Sequence, residues 1–214
     1  YHSPKTSLVC IENTTNKGGG ACWDIIELKK IKKICDENNL FFHLDGARIW
    51  NAFVKNKINF KEYGKLFDTI SVCLSKGLGC PVGSLLLTSS KYFQNALKIR
   101  KILGGGMRQS GFLAACGIYA LDNNINRLKD DHFKAKEIGN VLSKLDYIKK
   151  VEPVETNIVI FELDDKFSSS IFQNKLSEKG IEIISMGDNK LRVVTHLDYN
   201  QDQHEYFLES IDKI

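Results

Sequence analysis

The sequence has no apolar run long enough to span a membrane and no secretory signal at its start. The longest apolar runs, such as ISVCL and GSLLL, are far shorter than the roughly 20 residues that a membrane helix requires. The first residues, YHSPKTS, contain no basic region followed by an apolar core. We therefore expect a soluble protein that is not secreted, works in the cytoplasm and has no membrane partner.

Paired-cysteine motifs are also absent. The chain has six cysteines, at positions 10, 22, 35, 73, 80 and 116, but no two of them form a C-x-x-C pair. Most of them lie within apolar patterns, which is typical of reduced thiols in cytosolic proteins. This usage disfavours a disulfide framework and a zinc site, and we assign no metal ligand.

The sequence also lacks a concentrated basic region. Its 30 lysines and arginines exceed its 26 aspartates and glutamates, for a net charge of +4, but the two signs are interleaved. The lysines at positions 29, 30, 32 and 33 have the spacing of the solvated side of one helix. A nucleic-acid-binding module would need a basic face with aromatic side chains, so we expect no nucleic-acid partner.

What the sequence does contain, in its first part, is an alternation of helix and strand patterns. The runs LFFHLD and DTISVCLS are apolar without polar alternation, and the helical patterns DIIELKKIKKICDENN and ARIWNAFV precede and separate them. Such runs are typical of parallel strands that helices cover on both faces. The first part is therefore predicted to have an α/β architecture with a mainly parallel sheet.

The pattern changes from Lys149 onwards. Short strands such as NIVIFEL and KLRVVTH alternate with the helical segments SSIFQNKLSEKG and QDQHEYFLESIDKI, which predicts a smaller α+β unit. No internal repeat or low-complexity tract interrupts the chain. We therefore predict two domains, residues 1–123 and residues 124–214.

Two polar residues follow buried strands of the first predicted domain. Asp45 ends the strand in HLDGARIWNA, close to Arg48, and Lys76 ends the next predicted strand, in SVCLSKGLGCPVGS. The carboxyl ends of parallel strands meet at one edge of a sheet, so a carboxylate and an amine would face one crevice. Taken alone, each has a simpler interpretation: Asp45 as a helix cap, Arg48 as a surface charge and Lys76 as a lysine in a Ser/Gly turn.

An amine and a carboxylate in one crevice suit pyridoxal phosphate chemistry. In that chemistry a lysine binds the cofactor, and an aspartate keeps the pyridine nitrogen protonated so that the ring accepts electrons. Small residues around Lys76, namely Ser75, Gly77 and Gly79, would let a flat ring lie close to the backbone.

Three motifs in order resemble those of the low-specificity L-threonine aldolases: HLDGAR, SVCLSKGLGCPVGS and KIRKILGGGMRQSGFLAACGIYAL. The similarity continues through LRVVTHLD and covers essentially the whole chain. The resemblance implies the C-terminal half of the large domain of a fold-type-I pyridoxal-phosphate enzyme, followed by a small α+β C-terminal domain. It also implies cleavage of L-threonine and L-allo-threonine to glycine and acetaldehyde through a Schiff base with pyridoxal 5'-phosphate.

The same resemblance implies a role for each motif residue. Lys76 matches the Schiff-base lysine, and Asp45 matches the partner of the pyridinium nitrogen. Arg48 and Arg192 match arginines that bind the substrate carboxylate, a task suited to the planar guanidinium. Arg108 matches an arginine that reaches the cofactor phosphate of a neighbouring subunit, which implies a homodimer or homotetramer with shared active sites.

His2 falls where the family has a histidine near the substrate hydroxyl, which makes it a candidate catalytic base. The alternative, an ordinary histidine near a chain end, remains open.

The chain departs from the family pattern in three respects. The family's N-terminal part, with a stacking histidine and a Gly/Ser/Thr loop for the phosphate, has no counterpart here. The glycine-rich segments at 18–22 and 104–108 do not follow a strand and open a helix, as a phosphate cradle would. Thr15 stands where the family commonly has histidine. We therefore expect the missing part in a longer protein or in a separate chain.

Two other functions remain open. One is another fold-type-I pyridoxal-phosphate enzyme, either a β-eliminating lyase or an aminotransferase, because its aspartate, lysine and arginine would be the same. The other is a truncated, non-catalytic protein that keeps this part of the fold for oligomerisation.

Overall fold

The strands and helices that the sequence predicts form in the computed structural model, which describes residues 4–214. These residues fall into two units, each with its own hydrophobic core. The first unit contains the chain up to Thr14 together with Cys22–Asn126, and the second contains Thr15–Ala21 and Arg127–Ile214. The division into a partial large domain, residues 1–123, and a small C-terminal domain, residues 124–214, stays a prediction.

A four-stranded sheet organises the first unit. Its strands are β1 (Leu8–Glu12), β2 (Phe41–Gly46), β3 (Thr69–Cys73) and β4 (Ser84–Thr88), and they lie in the order β1-β2-β3-β4. β1, β2 and β3 are parallel, whereas β4 runs antiparallel to β3. The chain passes from β3 to β4 without a helix, and so short a link can reach only an antiparallel neighbour.

Within the described residues, five helices belong to this unit. They are α1 (Ile25–Glu37), α2 (Ile49–Asn56), α3 (Phe60–Gly64), α4 (Ser90–Ile102) and α5 (Gly111–Asn123). α1 begins at the predicted cap, Asp24, whose side chain accepts a hydrogen bond from the Ile26 amide at 2.6 Å. The sequence pattern does not predict α3, because a helix of five residues is too short to show a period.

The core of the first unit lies on one face of its sheet. Phe42, Leu44 and Val72 are buried there with the helical side chains Leu28 and Ile49. On the opposite face, Leu8 and Phe41 are paired in register and remain 49% and 48% exposed. Helix α4 lies over this second face, where the Tyr92 ring meets the Phe41 ring edge-on with 6.1 Å between their centroids. The described part of the sheet therefore has helices on both faces, as predicted, but the second face is only partly buried.

The edge strand β4 is incompletely buried on both faces. Leu85 and Leu87 lie in register with core-face positions of β3, and Leu86 lies on the opposite face. All three leucines are about half exposed. Helix α4 faces Leu86 across a cavity, so the described residues cover this edge of the sheet only partly.

An antiparallel sheet organises the second unit. Its strands are β5 (Ile148–Val151), β6 (Ile158–Leu163), β7 (Ile184–Gly187) and β8 (Lys190–Val194), in the order β5-β6-β8-β7. Its helices are α6 (Leu128–Leu142), α7 (Ser169–Ser177) and α8 (Gln201–Asp212). Phe161 and Leu191 of the sheet share one core with Leu142, Phe172 and Ile211 of the helices. This is the α+β arrangement that the sequence predicts.

No helix within residues 4–214 is both long enough and apolar enough to cross a membrane.

Gly46, the last residue of β2, lies where the backbone of β3 approaches most closely. A Cβ atom at this position would lie 2.8 Å from the carbonyl oxygen of Ser71 and 3.2 Å from the Cβ of Ile49. Neither neighbour moves easily, because Ser71 belongs to the sheet and Ile49 is buried. The glycine of HLDGAR therefore allows β2, β3 and the start of α2 to pack closely beside Asp45.

We predict that Gly46→Ala lowers the free energy of unfolding by about 1–3 kcal/mol, because the added methyl group overpacks this contact. Urea unfolding measures the change. The matched control is Gly64→Ala at the end of α3, where an added Cβ meets no atom within 4 Å, and it should not destabilise the protein. Equal stability of the two variants would contradict the close approach at Gly46.

Candidate active site

The carboxyl ends of β2 and β3 lie side by side at one edge of the first sheet. In the parallel register Asp45 lies opposite Ser71, and β3 ends at Cys73. Lys76 follows three residues after that strand end. The structure thus places Asp45 and Lys76 at the same edge of the sheet, where two neighbouring parallel strands end.

The backbone orients the Asp45 carboxylate. Its Oδ1 accepts a hydrogen bond from the Ala47 amide at 3.1 Å. The N-cap position of α2 belongs instead to Arg48, which makes no side-chain capping bond. Asp45 is therefore fixed by the turn out of β2, and the simpler interpretation of it as the cap of α2 does not hold.

In the loop between β3 and β4, Lys76 lies between two buried leucines. Leu74 and Leu78 are 6% and 1% exposed, whereas Lys76 is exposed. The Gly79 amide donates to the Lys76 carbonyl oxygen at 2.9 Å, and the Cys80 amide donates to the Leu74 carbonyl oxygen at 3.1 Å. Gly79 has a φ of 74°, which glycine adopts at little cost. The Lys76 amine is therefore accessible to solvent although the strand before it is buried.

Side chains from two helical segments hold the same loop. The Trp50 indole Nε1 in α2 donates to the Cys73 carbonyl oxygen at 3.1 Å. The Asn124 side chain, just after α5, donates to the Leu78 carbonyl oxygen at 2.7 Å. The position of Lys76 is thus set by the packing of the whole unit.

Asn13, one residue beyond β1, is a functional candidate at this edge that the sequence analysis missed. It is fully buried, its Nδ2 donates to the Tyr63 hydroxyl at 2.7 Å, and its amide donates to the Asp45 carbonyl oxygen at 3.0 Å. Burial raises the pKa of Tyr63 to about 12, so this hydroxyl stays protonated. The signal that could have found Asn13 is a polar residue directly after an apolar strand, as at Asp45.

The other predicted residues occupy different places. Arg48 is partly buried at the start of α2, three residues beyond Asp45. Arg108 is exposed in the bend between α4 and α5. Arg192 lies in the second unit, on β8, where its Nη1 donates to the Asn16 side-chain oxygen at 2.7 Å. The predicted base, His2, lies outside the described residues.

Within residues 4–214, no group of three or more His, Cys, Asp or Glu side chains is arranged to hold a metal ion.

The chain is similar to known proteins over most of its length. The low-specificity L-threonine aldolase of Escherichia coli K12 is 38% identical over 202 residues, which cover 94% of this chain and 58% of that protein. Low-specificity L-threonine aldolase 1 of Arabidopsis thaliana is 37% identical over 196 residues, which cover 90% of this chain and 55% of the relative. These relatives confirm the resemblance that the three motifs indicated.

The fold is also similar to solved structures. A crystal structure described as an L-allo-threonine aldolase of Listeria monocytogenes matches with a TM-score of 0.82 at 21% identity, covering 100% of this chain and 62% of that one. This similarity confirms the predicted α/β fold class.

The chain spans between 53% and 61% of the length of four curated relatives that it matches. Residues 1–166 match the model of the beta-eliminating lyases. The extent of this match shows that the chain belongs to the beta-eliminating lyase family.

Proposed function

We propose that this chain carries the active-site residues of a pyridoxal-phosphate-dependent threonine aldolase. The reaction is cleavage of the Cα–Cβ bond of L-threonine or L-allo-threonine to glycine and acetaldehyde. The observation that carries the proposal is the parallel pairing of β2 with β3, which puts a carboxylate and an amine at one sheet edge. Identities of 37% and 38% to low-specificity L-threonine aldolases favour this reaction over another lyase or an aminotransferase.

The groups at this edge fit the cofactor. The Lys76 amine is exposed on an anchored loop, and the Asp45 carboxylate is oriented by the Ala47 amide. Lys76 would hold the cofactor through its Nζ, and Asp45 would keep the proton on the ring nitrogen. Arg108 would bind the phosphate of the cofactor held by a neighbouring subunit. When bound, pyridoxal phosphate supplies an electron sink for the pair released from the substrate Cα.

The remaining residues would act on the substrate. Arg48 and Arg192 would bind its carboxylate, and this contact would orient the Cα–Cβ bond. His2, or a water that it positions, would remove the proton from the hydroxyl oxygen on Cβ as the Cα–Cβ bond breaks. After acetaldehyde leaves, Cα would take up a proton to give glycine, which would keep the carboxylate contact.

The surface around Arg108 supports a homodimer or homotetramer with shared active sites. Within the described residues, α4 has no buried side chain, and Phe112 at the start of α5 is 83% exposed. Ile102 and Leu103, at the end of α4, are also largely exposed. Large apolar side chains exposed in one region of a protein mark an interaction surface when they form a patch. We propose that a second copy covers these helices and receives Arg108.

A second incompletely covered surface is the β4 edge, with half-exposed leucines on both faces. We propose that it pairs with polypeptide equivalent to the remaining length of the relatives, in the same protein or in a separate chain. That polypeptide would also supply the phosphate loop. We further propose a cytoplasmic location, in line with six cysteines that form no C-x-x-C pair.

We predict that borohydride reduction of the full chain with pyridoxal phosphate labels Lys76, because its amine is exposed at the proposed site. Peptide mass mapping locates the label. Lys76→Ala should lose both the label and the release of glycine and acetaldehyde from L-threonine. The matched control, Lys144→Ala, removes an exposed lysine of the second unit and should lose neither. Cleavage that persists in Lys76→Ala contradicts the assignment, and transamination without aldehyde indicates an aminotransferase.

We predict that Asp45→Asn lowers kcat for L-threonine cleavage by roughly 100- to 1000-fold, because a neutral amide cannot stabilise a protonated ring nitrogen. The melting temperature should stay unchanged, since the asparagine oxygen can still accept from the Ala47 amide. Asp122→Asn, at an exposed position of α5, is the control. An unchanged kcat in Asp45→Asn would contradict the role of Asp45 in the proposed mechanism.

We predict that Phe112→Glu dissociates the oligomer, because it places a charge in the apolar surface of α4 and α5. Sedimentation velocity measures the mass. Ile171→Glu changes a side chain of α7 that is 59% exposed and should keep the mass of the unsubstituted protein. If both variants have that same mass, this surface is not the interface.

A further inference from the structure

The guanidinium of Arg192 is held on one side by Asn16. Leu191, the preceding residue of β8, is fully buried in the core of the second unit, so Arg192 points to the opposite face of the sheet. There its Nη1 donates to the Asn16 Oδ1 at 2.7 Å. Asn16 lies in ENTTN and has no role in the function proposed above.

This contact leaves one edge of the guanidinium for another partner. A guanidinium can present its Nε–H together with one Nη2–H as a parallel pair of donors, the geometry that a carboxylate accepts bidentately. Asn16 takes Nη1 and so leaves the Nε and Nη2 pair. Nε is buried and has no hydrogen-bond partner in the described part of the chain. Buried donors are almost always satisfied, so this atom indicates a missing acceptor.

The loop that carries Asn16 is closed on itself and attached to the second sheet. The Gly20 amide donates to the Thr15 carbonyl oxygen at 2.8 Å, and the Thr15 amide donates to the Ala21 carbonyl oxygen at 3.1 Å. The buried Thr156 hydroxyl donates to the Gly20 carbonyl oxygen at 2.7 Å. A Cβ on Gly20 would lie 2.3 Å from that hydroxyl oxygen, so glycine is required for the approach. The segment GGGAC therefore fixes the loop that presents Asn16.

A purely structural clamp would leave the polar atoms of this cluster satisfied by the protein. Instead, the hydroxyl oxygen of Thr15, next to Asn16 in the chain, is also buried without a hydrogen-bond partner in residues 4–214. The Thr15 hydroxyl and the Arg192 Nε–H can both donate. Since the Arg192 Nε–H can only donate, the group that satisfies it must accept hydrogen bonds, as a carboxylate does.

We propose that Asn16 is a positioning residue that holds Nη1 of Arg192 so that its Nε and Nη2 donors bind the carboxylate of the amino-acid substrate. The proposal rests on the proposed function for the identity of the substrate. Asn16 touches the arginine and acts on the substrate through it.

The test follows the Arg192 Nε–H signal by NMR in nitrogen-15-labelled protein with pyridoxal phosphate. Arg192→Lys identifies the signal by its loss. Glycine should shift it, and glycinamide, which lacks the carboxylate, should not. No shift with glycine, or an equal shift with glycinamide, overturns the proposal, and this comparison needs no variant of Asn16.

Asn16→Ala should weaken glycine binding and raise KM for L-threonine by roughly 10- to 100-fold, as expected for one lost hydrogen bond to a charged group. The value of kcat should change much less. Asn123→Ala, which removes a side-chain bond to the Tyr119 carbonyl oxygen in α5, is the control and should change neither value. An unchanged KM in Asn16→Ala overturns the positioning role.

The proposed aldolase activity and the proposed positioning role of Asn16 can be contradicted separately. If glycine shifts the Arg192 signal but L-threonine is not cleaved, the aldolase activity is wrong and the carboxylate site stands. If L-threonine is cleaved and Asn16→Ala binds glycine as the unsubstituted protein does, the activity stands and Asn16 has no positioning role.

Discussion

The candidate site depends on the parallel pairing of β2 with β3. Because these strands run in the same direction, both carboxyl ends reach one edge, and residues that follow them become neighbours. Gly46 lets the two backbones and α2 approach closely, and the turn after it fixes Asp45. The antiparallel return through β4 then closes the loop that carries Lys76. An antiparallel β2–β3 pair would put Asp45 and Lys76 at opposite edges, whatever their identities.

In the second unit, the side chain of Arg192 is positioned by the alternation of a strand and by a neighbouring loop. Arg192 is placed by the alternation of β8, which buries Leu191 and turns the arginine to the other face. The glycine-rich loop at 15–21 then supplies Asn16 as an acceptor. Such a clamp reduces the rotamers open to a long side chain, so a ligand carboxylate would lose less conformational entropy on binding.

The sequence predicts the placement of Asp45 and Lys76 at one sheet edge because each follows an apolar run, and the intervening helices imply parallel strands. It does not predict the contacts of Asn13 and Asn16, because their partners Tyr63 and Arg192 lie 50 and 176 residues away along the chain. The incomplete burial of the second sheet face is missed for a related reason. An apolar strand pattern records that a face is to be buried, but not whether the covering layer belongs to the same segment of polypeptide.

The exposed apolar surface of α4 and α5 is a second case in which the sequence pattern does not identify the polypeptide that covers it. An isolated helix of 13 residues is marginal in water, and most helical stability in proteins comes from packing an apolar face. Within the described residues, α4 packs no buried side chain. A partner that covers Ile102 and Phe112 would therefore stabilise the helices as well as associate with them. Since Arg108 lies in the bend between these helices, its position would become fixed only on association, which would couple assembly to the completion of a phosphate site.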